Sequence, residues 1–168
     1  YQNNLLHPKF SQTNVVTGRL SCSDPNFQNI PRGDKLPIKR VIQSRFDDGE
    51  IIEMDFAQLE FRVAAFLSQD SQAIQDILEG VDVHQNTANV IGCDRQTAKA
   101  HTFKPLYGGM SGTDEEKKYY SYFRKIYKGI TLWQEKTEDT AISTSFVTLP
   151  SGRQYYFEGI KRASWGGS

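Results

Sequence analysis

Helix caps and helix stops divide the middle of the chain into a run of short helices. Apolar residues recur at helical spacing from Leu59 to Leu67, which predicts a first helix beginning just after Asp55. Five further helices are predicted over 71–78, 84–91, 95–107, 113–128 and 130–142. Ser71 is the expected cap of the first of these, Gly92 ends the second, and Thr113 forms a capping box with Glu116 at the start of the fourth. Such a run of consecutive helices excludes an alternating βαβ fold.

Segments of a different character lie on either side of the helices. The stretch up to about residue 37 is rich in Asn, Ser, Gly and Pro, and it predicts loops with short extended pieces. β-Branched residues after an Asp-Gly turn predict a strand over 51–56, and 146–149 with 154–157 predict a β-hairpin around Pro150-Ser151-Gly152-Arg153. The fold class expected from this order is α+β.

Composition limits the function without deciding it. The chain has 20 Lys and Arg against 20 Asp and Glu, so a nucleic-acid partner requires basic residues gathered on one face. Cys22 and Cys93 lack CxxC spacing, which is typical of reduced thiols and a cytoplasmic location. Neither a membrane-spanning run nor a signal peptide is present, so we expect no membrane partner. The start at Tyr1 instead of Met suggests a fragment.

Asp55 is the first candidate for chemistry. It follows the predicted strand, and a carboxylate at a strand end suits Mg²⁺ because the strand holds the carboxylate in position. An isolated Asp at such a place is more often a helix N-cap, and both interpretations stay open. Gln58, Glu60 and Arg62 cluster just beyond it, either as site residues or as a solvated helix face. They alternate with Leu59, Phe61 and Val63, which we expect to be buried.

A second candidate is a row of residues spaced by four. Arg95, Lys99, Phe103 and Tyr107 fall within roughly 120° of arc on a helix, with cations first and aromatics last. Cations of this kind bind phosphates, and an aromatic face stacks on a base or packs against a sugar. The alternative is an amphipathic helix with aromatic core residues. Lys104-Pro105 predicts a kink or an early helix end.

A third cluster lies in the loops near the start of the chain. Thr17-Gly18-Arg19-Leu20-Ser21 is followed by Pro25-Asn26-Phe27-Gln28-Asn29-Ile30-Pro31. An arginine and several amides on a backbone restricted by Gly and Pro suit phosphate and minor-groove contacts. A polar surface loop is the simpler alternative.

Together these segments resemble family A DNA polymerases of the DNA polymerase I type. TGRLSCSDPNFQNIP is similar to TGRLSS-PNLQNIP, DFAQLEFRV to motif A (DYSQIELR), and RQTAKAHTFKPLYGG to motif B (R-x3-K-x6-YG). DVHQNTA also resembles DIHxxTA, and TLPSGRQYYF resembles the TLxGRRRxLP hairpin. The resemblance implies a partial palm over 1–70 and helical fingers with a β-hairpin over 71–168.

The resemblance also implies roles for individual residues. Asp55 and the Phe56 carbonyl would bind metal, with two Mg²⁺ ions in the complete enzyme, and Lys99 would join Asp55 in catalysis. Glu60 would exclude a ribose 2′-hydroxyl. The residues that would bind the incoming dNTP are Gln58, Glu60, His84, Arg95, Lys99, Phe103 and Tyr107. Those that would touch primer-template DNA are Arg19, Asn26, Gln28, Asn29 and Tyr107, with Arg32, Lys35, Lys39 and Arg40 on the duplex side.

Several features depart from the family pattern. Gln96 stands where many members have a second arginine. Lys104-Pro105 replaces a small or apolar pair after the aromatic residue, so we expect altered fingers movement. The segment after Tyr107 is short, which suggests a trimmed, viral member in a virus-infected host as an alternative to a bacterial one. Motif C and a thumb are not matched, so a remaining polymerase segment would be a partner and the chain alone would be inactive. A non-catalytic DNA-binding module and a split-polymerase subunit stay open as alternatives.

Overall fold

A computed structural model describes residues 5–31 and 38–159 of the chain. The chain divides into two compact units between Asp55 and Phe56. The assignment of 1–70 to the palm and 71–168 to the fingers stays a prediction. Within the described ranges, no helix is long and apolar enough to cross a membrane.

The first unit contains a small antiparallel hairpin. Strand β1 (Lys9–Ser11) pairs with β2 (Ser21–Ser23), and Phe10 lies opposite Cys22 in the register. Cys22 is a buried free thiol, and its Sγ accepts a hydrogen bond from the Phe27 amide at 3.4 Å. Short 3₁₀ helices follow at Phe27–Asn29 and Ile38–Val41. The predicted loops with short extended pieces are therefore confirmed for the described residues.

The strand predicted over 51–56 is wrong for this structure. The segment has no strand conformation, and none of the described strands pairs with it. Its apolar side chains are exposed, namely Ile51, Ile52, Met54 and Phe56. A strand needs a neighbour to accept and donate its backbone hydrogen bonds, and β-branched composition alone does not supply one.

The second unit is a helical assembly with a hairpin. Its elements are α1 (Leu59–Ser68), α2 (Ser71–Leu78), α3 (Val83–Ile91), α4 (Arg95–Thr102), α5 (Asp114–Ile126), α6 (Lys128–Thr144), β3 (Phe146–Thr148) and β4 (Gln154–Tyr156). Strands β3 and β4 are antiparallel, with Val147 opposite Tyr155. The predicted α+β class, the six helices and this hairpin are confirmed in the described residues.

The helix predicted over 95–107 is too long. Helix α4 ends at Thr102, and residues Pro105–Tyr107 form a separate 3₁₀ turn. Proline has no amide hydrogen to donate and its ring clashes with the preceding turn, so the regular helix stops before it. The early end predicted from Lys104-Pro105 is therefore confirmed.

Aspartates cap three of the helices. Asp70 caps α2 in place of the expected Ser71, while Asp82 caps α3 and Asp94 caps α4. Each carboxylate accepts hydrogen bonds from amides that the first helical turn leaves unpaired. The capping box of Thr113 with Glu116 at the start of α5 is confirmed.

The buried face of α1 agrees only in part with the one expected. Phe61, Ala64 and Ala65 are buried, whereas Leu59 and Val63 are 45% and 46% exposed. Helical spacing showed that α1 has an apolar stripe, but both sides of this helix carry apolar residues. The packing against α2 and α6 selects the side with Phe61.

Aromatic side chains form the centre of the second unit's core. The ring of Tyr127, between α5 and α6, lies 5.1 Å from the Phe61 ring and 4.9 Å from the Phe123 ring, with edge contacts in both pairs. Tyr120 and Ile130 are completely buried beside them. Burial of each large apolar side chain contributes about 1.5–3 kcal/mol, so these residues hold α1, α5 and α6 together.

One buried carboxylate joins two helix starts. Asp70 is only 3% exposed, and its Oδ1 accepts from the Ala73 amide of α2 at 2.9 Å. Its Oδ2 accepts from the amides of Gly129 and Ile130 in the first turn of α6, at 2.6 and 3.1 Å. A side chain at Gly129 would place its Cβ 2.9 Å from the Asp70 Cα, so this close approach requires glycine. Asp70 therefore caps α2 and α6 together.

We predict that Asp70→Ala lowers the free energy of unfolding by about 2–4 kcal/mol, because three amides, two of them in buried contacts, lose a charged acceptor. The measurement is urea unfolding followed by circular dichroism. Asp114→Ala is the control, since Asp114 is an exposed first-turn residue whose contact with Lys117 is 3.4 Å long. Equal destabilisation by the two substitutions would contradict the double-capping role of Asp70.

Candidate functional site

Close packing of α3 and α4 positions the predicted nucleotide-binding residues. Thr102 Oγ1 donates to Thr87 Oγ1 at 2.8 Å, and Thr87 donates in turn to the Val83 carbonyl at 2.8 Å. Both threonines and the small residue Ala98 are buried in this contact. Arg95 and Lys99 stay exposed on α4 next to this buried contact.

Arg95 is tied to the start of α3 by Asp82. Arg95 Nε donates to Asp82 Oδ2 at 2.7 Å, and the two side chains are 50% and 39% exposed. The other carboxylate oxygen of Asp82 accepts from the amides of His84 and Gln85 at 3.0 and 3.2 Å. The hydrogen bond from Arg95 is the main cause that lowers the pKa of Asp82, so this carboxylate is ionised at neutral pH.

His84 lies buried beside this ion pair. Burial lowers its pKa below the usual value, and the positive charges of Arg95 and Lys99 lower it further, while Asp82 acts in the opposite direction. The imidazole is therefore neutral at neutral pH. Its ring makes an edge contact with the Phe103 ring, with centroids 5.1 Å apart and an interplanar angle of 83°.

Phe103 and Tyr107 continue the row of residues beyond the last turn of α4. Phe103 is the C-cap of α4 and is partly buried against the core cluster. The Tyr107 amide donates to the Phe103 carbonyl at 3.1 Å, so Tyr107 follows Phe103 by one helical turn in spite of Pro105. Tyr107 is 67% exposed. Phe103 and Tyr107 are thus one helical turn apart, as the four-residue spacing predicts. Phe103 also packs against the core, as expected if the helix is amphipathic with aromatic core residues.

Gln134 of α6 holds the turn that carries Tyr107. Its Nε2 donates to the carbonyls of Pro105 and Leu106 at 3.0 and 2.5 Å. These carbonyls lie where the regular helix has ended, so a side chain from another helix satisfies them. The turn between α4 and Gly108 is therefore linked to α6.

Chemically, the α3–α4 site can bind an anion next to an aromatic group. Arg95 and Lys99 supply exposed positive charge, and the planar guanidinium suits phosphate oxygens. His84 supplies a neutral ring, and Phe103 supplies an apolar edge. This set of side chains matches a ligand that has phosphates at one end and an apolar or aromatic part at the other.

Asp55 lies in the first unit and Phe56 opens the second. Helix α1 begins at Leu59 with Gln58 as N-cap, so the interpretation of Asp55 as a helix cap is wrong. Asp55 is an exposed carboxylate. In the described part of the chain, no group of three or more His, Cys, Asp or Glu side chains could hold a metal ion. Mg²⁺ binds one or two carboxylates together with water and substrate phosphates, and Asp55 fits one such ligand.

Gln58 and Glu60 lie at the start of α1. Gln58 has a left-handed backbone, with φ 54° and ψ 40°, and it makes no side-chain capping bond. Glu60 is exposed in the first turn. Arg62 Nε donates to the Ala57 carbonyl at 2.9 Å, and this bond links the first turns of α1 to the residue before its N-cap.

The predicted DNA-contact loop is ordered by its own amides. Asn26 Oδ1 accepts from the Gln28 amide at 3.0 Å, and Gln28 Nε2 donates to the Leu20 carbonyl at 2.8 Å. Arg19 and Asn29 are exposed. Of the basic residues assigned to the duplex side, Lys39 pairs with Glu53 at 2.7 Å and Arg40 is described, whereas Arg32 and Lys35 lie outside the described residues.

Asp82 and Gln134 were missed by the sequence predictions. Asp82 lies two residues before His84, and an Asp so close to a predicted helix start indicates a cap and a helix that begins at Val83. Gln134 lies 29 and 28 residues from its two partners, and no local pattern indicates such a contact.

Comparisons with known proteins agree with this description. The chain matches the model of DNA polymerase family A over residues 1–166. It is 34% identical over 172 residues to the thermostable DNA polymerase I of Thermus thermophilus, covering 90% of this chain and 20% of that protein. It is 34% identical over 176 residues to DNA polymerase I of Deinococcus radiodurans, with coverages of 92% and 18%.

A solved structure gives the same result for the fold. The POL domain of Pol1 from M. smegmatis, in complex with DNA primer-template and dNTP, matches with a TM-score of 0.65 and 25% identity. The match covers 89% of this chain and 30% of that one. The viral origin expected from the short segment after Tyr107 finds no support in these matches.

The chain spans about a fifth of the length of the curated relatives it matches. The family model nevertheless covers nearly all of the chain, from the loop cluster at its start to beyond the β3–β4 hairpin. This chain belongs to DNA polymerase family A.

Proposed function

We propose that this chain forms the part of a DNA-directed DNA polymerase that binds the incoming dNTP and adds it to a primer 3′ end. The observation that carries the proposal is the row formed by Arg95 and Lys99 on α4 and Phe103 at its C-cap, beside the neutral His84 of α3. Positive charge and an aromatic edge at this spacing suit the triphosphate and the sugar of one nucleotide.

The residues of this row would contact different parts of the nucleotide and its template. Arg95 and Lys99 would bind the triphosphate and offset the negative charge that develops on the departing phosphates. Phe103 would pack on the sugar and base, with its ring held in place by the core and by His84. Tyr107 would border the pocket of the templating base, on a turn held by Gln134.

The metal ligand would be Asp55, together with the Phe56 carbonyl. Two Mg²⁺ ions would supply activation of the primer hydroxyl and stabilisation of the leaving pyrophosphate. A further carboxylate is needed for such a pair of ions, and we propose that a remaining polymerase segment with motif C and the thumb supplies it.

Primer-template DNA is the second proposed partner. Arg19, Asn26, Gln28 and Asn29 would contact its backbone and minor groove from the loop near the 3₁₀ helix Phe27–Asn29. Because the net charge is zero, this binding would depend on locally gathered basic residues and would weaken with salt. That the structural neighbour is a complex with DNA primer-template and dNTP supports both proposed partners.

The alternatives lead to different expectations. A non-catalytic DNA-binding module would have no use for Asp55, Glu60 and Lys99 together, and their presence favours an enzyme. A subunit of a split polymerase would share the nucleotide chemistry proposed above and would differ only in how the chains are encoded.

We predict that Lys99→Ala weakens binding of Mg²⁺-dATP to this chain about tenfold, because one charge-assisted contact to phosphate is lost. Isothermal titration calorimetry measures the affinity. Lys118→Ala is the matched control, since Lys118 is an exposed lysine on α5. Equal weakening in both variants would indicate a general charge effect and would contradict a specific contact between Lys99 and the triphosphate.

We also predict that Glu60→Ala raises ribonucleotide incorporation in a complete polymerase that carries this segment, because the smaller side chain opens space beside the sugar. The measurement is the ratio of ribonucleotide to deoxyribonucleotide use in primer extension. Glu115→Ala is the control, since Glu115 is likewise a first-turn carboxylate, on α5. An unchanged ratio for Glu60→Ala would show that Glu60 is not the steric gate.

A further inference from the structure

The Arg95 guanidinium contacts Asp82 through its Nε edge. Its Nε donates to Asp82 Oδ2 at 2.7 Å, and within the described residues Arg95 makes no other ion pair. A guanidinium is a planar group whose end carries two Nη nitrogens that match two phosphate oxygens. The contact with Asp82 uses Nε, so the two Nη nitrogens at the end of the guanidinium can bind phosphate oxygens.

Asp82 is itself rigidly placed. Its Oδ1 accepts from the amides of His84 and Gln85, so the carboxylate is part of the N-terminus of α3. Its Oδ2 is the oxygen that contacts Arg95. A continuous set of hydrogen bonds thus runs from the backbone of α3, through Asp82, to the side chain of Arg95 on α4.

We propose that Asp82 is a positioning residue for the triphosphate: it holds Arg95 by Nε so that the two Nη groups face the phosphates. The inference rests on the proposed function. A long arginine side chain loses rotamer freedom when it binds a ligand, and a side chain already held in place loses less. The negative charge of Asp82 acts against an anionic ligand, but it lies on the Nε edge, away from the end of the fork.

Asp94 provides an internal comparison. It directly precedes Arg95 and caps α4, with Oδ1 accepting from the amides of Gln96 and Thr97 at 2.9 and 3.0 Å. Its Oδ2 accepts from Thr97 Oγ1 at 2.5 Å. Both oxygens of Asp94 therefore serve α4, whereas Asp82 serves α3 and Arg95 together.

The test is calorimetric titration of tripolyphosphate into the wild-type chain and three variants. Asp82→Ser keeps a good helix cap but is too short to reach Arg95, and we expect affinity to fall about two- to fivefold. Asp82→Asn keeps the cap and an oxygen acceptor, and we expect binding at least as tight as in the wild type. Asp94→Ser removes the same charge next to Arg95 without removing a contact to it, and we expect no weakening.

A second measurement needs only the wild type. The NMR signal of the Arg95 Nε–H group should stay in place and exchange slowly with water when tripolyphosphate binds, because Asp82 keeps its hydrogen bond. A large shift and fast exchange of this signal on binding would show that Arg95 has lost its hydrogen bond to Asp82. That result would overturn the inference, since Asp82 would then compete with the ligand for Arg95. Asp82→Ser binding as tightly as the wild type would also overturn it. Absence of any binding by the wild type would overturn the proposed function as well.

Discussion

The hydrogen bond between the buried hydroxyls of Thr87 and Thr102 is the contact on which the site depends. It brings α3 and α4 together where Ala98 leaves room for close approach. Ala98 and Thr102 are buried in this contact, whereas Arg95 and Lys99 stay exposed, and His84 lies beside Phe103. Together with the Arg95–Asp82 and His84–Phe103 contacts, this hydrogen bond fixes the row of cations and aromatics relative to α3.

Local patterns predicted what depends on neighbours in the sequence. The capping box of Thr113 and the stop at Gly92 lie within one turn of the helix ends that they form, and both were found where predicted. The four-residue spacing from Arg95 to Phe103 also predicted which side chains share a face. Pro105 predicted the end of α4, because its effect on the backbone is local.

Contacts between distant residues could not be predicted in this way. Gln134 reaches the carbonyls at Pro105 and Leu106 from another helix, and Asp70 reaches the start of α6 across 59 and 60 residues. The buried side of α1 depends on what packs against it, so Leu59 was expected inside and lies half exposed. The strand predicted over 51–56 failed for the same reason, since pairing requires a partner strand.

Helices α3 and α4 form the proposed triphosphate-binding surface. The most direct measurement is a ¹H–¹⁵N NMR titration of this chain with Mg²⁺-dATP, which reports every backbone amide at once. We expect the largest shifts within residues 82–107, on α3, α4 and the turn with Tyr107. Shifts centred elsewhere, for example around Lys39 and Arg40 in the first unit, would contradict it.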